Sequence, residues 1–152
     1  MLRDEISDAL KSSMKEKNQV AVSTLRLIQA AIKDRDIAAR PKGVGSGISD
    51  DEILQVLQTM VRQRHDSIDM YKKGKRDDLA EREAQEIKVI QSFMPRQLDD
   101  SEMEAAISEV LETTGAETIK DMGKAMGALR NRYAGQMDFG KAGAALKARL
   151  AG

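Results

Sequence analysis

No cysteine and no tryptophan occur among the 152 residues, and the chain holds only two tyrosines, two phenylalanines, two prolines and one histidine. Without thiols there are no disulfides, thiolate zinc sites or cysteine nucleophile, a composition suited to a reducing compartment. Four aromatics leave the core to Leu, Ile, Val, Ala and nine methionines, the material of helix-to-helix packing. Their scarcity also argues against reading single-stranded bases by stacking. Long apolar runs are missing: the stretch from Val20 to Ile32 is broken by Arg26 and is too short to cross a bilayer. The opening segment, MLRDEISDAL, lacks the apolar stretch of a secretory signal. A cytoplasmic protein with no membrane partner is the expectation. Charge of one sign is missing too, because 25 basic and 25 acidic residues cancel, so the total points to no partner class.

What is there is helical periodicity. Period-2 alternation is absent, and the chain is expected to be all-α, with a four-helix N-terminal part (1–95) followed by a small three-helix C-terminal domain (96–152). A first helix is expected from Leu2 to about residue 17, with Leu2, Ile6, Ala9, Leu10 and Met14 on one face. A second carries Val20, Leu25, Ile28, Ala31 and Ile32. RPKGVGSGIS, with Pro41 and three alternating glycines, is expected as a flexible loop. Ser49 and Glu52 have the spacing of a capping box for a third helix, with Ile53, Val56, Leu57, Met60 and Val61 behind them and Gly74 as its stop. A fourth helix carries Leu79, Ala80, Ala84, Ile87, Ile90, Phe93 and Met94 and ends at Pro95. Beyond it, Asp99 and Glu102 form a second capping box, Leu98 staples onto Met103, and Gly115 closes the helix.

Candidate chemistry is thin. His65 has no second His and no Cys to work with, so it reads as a structural or surface residue. GVGSG matches neither phosphate-loop pattern and follows no strand. The carboxylates at 50–52 and 99–102 fall at helix starts, where capping accounts for them. Arg62, Arg64, Lys72, Lys73, Lys75 and Arg76 cluster at one helix end but are interleaved with Asp66, Asp69, Asp77 and Asp78, the pattern of a solvated C-terminus. No catalytic residue, metal or cofactor is expected.

DMGKAMGALRNRYAG, residues 121–135, is the exception. Two interior glycines four apart cost a helix about 1 kcal/mol each relative to Ala. On a wheel drawn over 118–134, Ile119, Met122, Met126, Leu129 and Tyr133 form an apolar stripe expected to pack inward. Gly123 lies at its margin, and Gly127 falls outside with Lys120, Lys124 and Asn131. A surface glycine lets another backbone come close, and flanking cations suit a nucleic-acid phosphate backbone. A neighbouring helix, of this protein or a partner, would suit the same groove. Around this segment the charge divides: residues 96–120 hold two basic and seven acidic groups (−5), and 121–152 hold six basic and two acidic (+4).

DMGKAMGALRNRYAGQMD resembles the motif of the GatB/YqeY family, and RQRHDSIDMYKKGKRDDLAERE followed by FMPRQLDDSE is similar to its stand-alone YqeY branch, over almost the whole chain. The last helix, FGKAGAALKARL, is richer in Ala and Gly than the family's usual Val/Leu pattern. The resemblance implies a two-part helical fold and kinship with the C-terminal tail of GatB, a subunit of the glutamine-dependent amidotransferase acting on mischarged tRNA. That tail is associated with tRNA binding. Carried over by position, the motif falls on Gly123, Lys124, Gly127, Gly135 and Asp138; charge and spacing add Lys120, Arg130, Arg132 and Lys141. The implied function is a non-catalytic, tRNA-associated binding module. The alternatives are a module docking on an amidotransferase or synthetase, or an amidotransferase-related carbon-nitrogen ligase with glutamine as amide donor. No residue of this chain supplies that ligase chemistry, because the nucleotide loop, amidase serine-lysine constellation and thiol nucleophile are all missing.

Overall fold

The computed structural model describes residues 1–43 and 45–151, and among them every regular element is helical. The chain divides into two compact units, Met1–Met94 and Pro95–Gly152.

The first unit holds α1 (Leu2–Lys15), α2 (Gln19–Ala39), α3 (Asp50–Lys73) and α4 (Asp77–Gln91). Its core is aliphatic: Ile6, Leu25, Ile28, Ile53, Leu57 and Ile90 are almost wholly buried. Each such side chain contributes roughly 1.5–3 kcal/mol relative to exposure. Helix starts follow local chemistry. Asn18 Oδ1 accepts from Ala21 N at 3.2 Å to cap α2, and Ser49 and Glu52 close a reciprocal capping box on α3.

Several expectations are corrected here. Gly74 is the C-cap of α3, as expected, but at φ −84°; Lys75, at φ 57°, supplies the left-handed turn after it. Arg76 N then donates to Tyr71 O at 2.8 Å, closing the end of α3. Lys17 does the same for α1, with φ 58° and Asn18 N donating to Ser13 O at 3.0 Å. Met14 is not packed inward but is 51% exposed.

The glycine-rich loop is held at its far end. Arg3 makes a two-pronged ion pair with Asp36 at 2.9 and 2.6 Å and also donates to Ile48 O, while Ile48 N donates to Asp36. Ile48 itself is buried. The part of the flexible-loop expectation that falls on Val44 lies outside the described residues.

The second unit holds α5 (Asp100–Thr114), α6 (Met122–Arg132) and α7 (Phe139–Ala151). Asp99 and Glu102 make the expected capping box, and Gly115 terminates α5 in the left-handed region at φ 68°. Ile107, Val110, Ala125, Leu129, Ala142 and Leu146 are fully buried and form the second core, with Met103 and Leu98 in the same cluster. Four residues of the expected α6 stripe, Met122, Met126, Leu129 and Tyr133, join this core, and Ile119 does not. A short 3-10 turn, Ile119–Asp121, precedes the helix and leaves Ile119 48% exposed. The buried line of α6 is Ala125 and Leu129, with Met122 and Met126 at its side. Gly143 of α7 faces them: a Cβ there would lie 3.7 Å from Met126 Cε and 4.0 Å from Met122 Cε, ordinary packing distances.

Candidate functional site

Gly127 stands two residues from both Ala125 and Leu129, so at about 100° per residue it points away from the buried line of α6. Gly123 is one turn before it and exposed. A Cβ built on either would meet no atom within 4 Å, and neither has a positive φ. No packing contact and no backbone conformation therefore requires glycine at these two positions. The helix is bare on its outward side.

The cations of this unit fall into two groups. Arg132 Nη1 lies 3.0 Å from Thr113 Oγ1 and 3.5 Å from Glu109 Oε1 on α5. Lys141 Nζ lies 3.1 Å from Asp100 Oδ1, and Arg149 Nη1 lies 3.5 Å from Glu104 Oε2. The division of charge read in the sequence is thus partly spent between helices, the acids of α5 meeting the bases of α6 and α7. Tyr133 joins the same seam, its hydroxyl donating to Glu109 Oε2 at 3.1 Å; burial and that acceptor push its ionisation above the ordinary tyrosine range.

Lys120, Lys124 and Arg130 form the second group. All three are exposed and none has an ion pair among the described residues. Asp121 lies beside them. Its carboxylate accepts from Glu117 N at 2.9 Å and Thr118 N at 3.2 Å, which holds its pKa below the usual carboxylate range, with Lys124 adding to the effect.

Four of the expected positions, Gly123, Lys124, Gly127 and Arg130, therefore lie on the outward arc of α6, and Lys120 is exposed in the 3-10 turn just before it. Arg132 and Lys141 do not join this surface, being engaged with α5. Gly135 does not either. It is buried in the turn after α6 at φ 74°, and its carbonyl accepts from Gln97 Nε2 at 2.6 Å. Asp138 caps α7, its Oδ1 accepting from Gly140 N at 2.9 Å. Gly135 and Asp138 shape the unit; Gly123, Lys124 and Gly127 face outward. Among the described residues no cluster of His, Cys, Asp and Glu could hold a metal ion.

The segment order that builds this unit is shared with known proteins. A family profile described as Yqey-like protein matches residues 3–150. The chain belongs to the YqeY-like family. Curated relatives of this YqeY-like chain include the Altered inheritance of mitochondria protein 41, mitochondrial, of Candida glabrata, 31% identical over 113 residues, which cover 74% of this chain and 57% of that one. Proteins of the same name from Vanderwaltozyma polyspora and Pyrenophora tritici-repentis are each 28% identical, with 62% and 68% of their lengths covered. The YqeY-like chain spans about three fifths of the first two. Their names overturn the cytoplasmic expectation. An apolar N-terminal stretch does not mark that compartment, because mitochondrial leaders are amphipathic and Arg-rich rather than apolar. No helix among the described residues is long and apolar enough to cross a membrane.

Proposed function

We propose that the second unit is a non-catalytic module that meets folded RNA, tRNA above all, with the outward face of α6. One observation carries the reading: Gly123 and Gly127 leave the helix backbone bare among three cations that have no partner, Lys120, Lys124 and Arg130. Removing two Cβ atoms lets a phosphate backbone approach the helix, and the cations neutralise it. With so few aromatics, recognition would rest on shape and phosphates rather than on stacked bases. The choice of tRNA rests on the resemblance to the GatB tail.

Binding of full-length chain to unmodified tRNA across a salt series tests it. Affinity is expected to fall with salt, Lys124→Ala to reduce the salt slope by about one, and Gly127→Leu to weaken binding more than Lys124→Ala. Arg149→Ala, a cation engaged with Glu104, is the control and should change little. Unchanged tRNA affinity in both Lys124→Ala and Gly127→Leu, with helical content intact, sinks the proposal. The two bare glycines would equally admit a helix of an amidotransferase or synthetase; capture of such a partner that survives nuclease and is lost in Gly127→Leu would favour that reading.

A further inference from the structure

α2 departs from the pattern of an outer helix with a single apolar stripe. Ala21, Leu25, Ile28 and Ile32 are buried on one side, yet Leu27 and Ile37 remain 49% and 46% exposed on the other. Where α2 begins beside the end of α1, the exposed Met14 and half-buried Val22 floor an open recess of ≈ 670 Å³, rimmed by Lys17 and Arg26. At about 100° per residue, Ser23, Ala30 and Ile37 continue from that recess in one line along α2, with Leu27 and the exposed Asp34 at its margin.

Charge around the recess is one-sided. Two cations, Lys17 and Arg26, and no acid line it, whereas farther along α2 the signs mix, Lys33 and Arg35 standing with Asp34 and Asp36. None of Lys11, Lys15, Lys17, Arg26 and Lys33 makes an ion pair among the described residues. In the second unit, by contrast, three cations are matched by acids of a neighbouring helix. Here no carboxylate lines the recess to meet Lys17 and Arg26.

We infer that this recess docks an acidic amphipathic helix of a partner protein. Its apolar side chains seat on Met14 and Val22 and run along α2 towards Ile37, and its carboxylates lie over Lys17 and Arg26. From Val22 to Ile37 the line is about 22 Å long, room for four turns of helix with anchors at i, i+3/i+4 and i+7. A nucleic acid would gain nothing from an apolar floor. A bilayer-facing stripe carries the aromatic side chains that mark membrane interfaces, and none lies on this surface. The inference concerns the first unit alone and does not depend on the reading of α6.

The test uses the full chain with labelled methionine methyls and backbone amides. The probe is a synthetic four-turn peptide with Leu along one stripe and Glu elsewhere. A Leu/Lys peptide of the same pattern, vesicles of phosphatidylcholine with phosphatidylglycerol, and tRNA are the other arms. The Leu/Glu peptide is expected to shift the Met14 methyl and the Val22 amide and to bind at least tenfold more tightly than the Leu/Lys peptide. Met14→Glu and Arg26→Glu, both at exposed positions, should each weaken it fivefold or more. No shift at Met14, equal affinity for the two peptides, or stronger shifts of the same resonances by vesicles or tRNA would each overturn the inference.

Discussion

Two lysines carry backbone geometry that glycine usually carries. Lys17 and Lys75 sit at φ 58° and 57°, each two residues past the last residue of a helix, where an L side chain costs roughly 1–2 kcal/mol. Lys75→Gly should therefore stabilise the first unit by about 0.5–1 kcal/mol, net of glycine's greater freedom when unfolded, read as a raised urea midpoint. Gly47 is the opposite case: at φ 96° its missing Cβ would lie 2.6 Å from Arg3 Nη2, so any side chain there would have to displace the Arg3–Asp36 pair. The buried acid of this unit is Glu86, whose Oε2 accepts from Arg64 Nε at 3.0 Å, both side chains only 12% exposed. Glu86→Ala leaves the Arg64 guanidinium with only Met60 O at 3.1 Å and Glu83 Oε2 at 4.0 Å, and should cost about 1–3 kcal/mol. Replacing Arg64 and Glu86 together with Met and Leu should restore most of that loss, and a double-mutant cycle in urea measures the coupling.

At the scale of elements, α6 holds a conflict between stability and use. Alanine at Gly123 and Gly127 meets open space, so the double substitution should stabilise the second unit by about 2 kcal/mol. The proposed function requires that the same variant bind tRNA less well, measurable on one sample by urea titration and anisotropy. The start of α5 gives a pH dependence. Glu102, held by Arg96 and by Asp99 N–H, has its pKa lowered from 4.5 to about 2. A folded-state value below the unfolded one means that its stabilisation is complete above pH ~4.5 and is lost as pH falls towards 2. Glu102→Gln should flatten that part of the stability profile, followed by circular dichroism in acid. The legible features of these elements were the local ones. Ser49 with Glu52 and Asp99 with Glu102 satisfy each other across three residues, so the letters alone locate both helix starts. Register failed where a 3-10 turn at Ile119–Asp121 changed the rise before α6, which carried Ile119 out of the stripe drawn for it. The candidate surface was half legible: spacing placed Gly127 and Lys124 outward, but it could not show that Arg132 and Lys141 face α5. Their partners Glu109 and Asp100 are 23 and 41 residues away. Periodicity tells which residues share a face and leaves open what stands opposite. A recess formed where α1 and α2 meet, such as that at Met14 and Val22, is hidden for the same reason.

The whole molecule carries two cores, and the smaller has little to spare. Roughly 60 residues bury a modest fraction of their surface, so a single cavity weighs heavily. Leu146, fully buried in the second core, should cost about 2–5 kcal/mol as Ala, enough to unfold much of its unit. Amide resonances of 95–151 should melt early in that variant, while those around Leu57 keep their midpoint. The scarcity of aromatic residues makes such an experiment optical as well. With no tryptophan to mask them, the two tyrosines fall one to each unit, Tyr71 in the first and Tyr133 in the second. The hydroxyl of Tyr133 is bound to the Glu109 carboxylate, a contact that quenches phenol emission. Loss of the second unit should therefore register as a brightening at the tyrosine wavelength, so that the unlabelled chain carries its own reporter for the seam between α5 and α6.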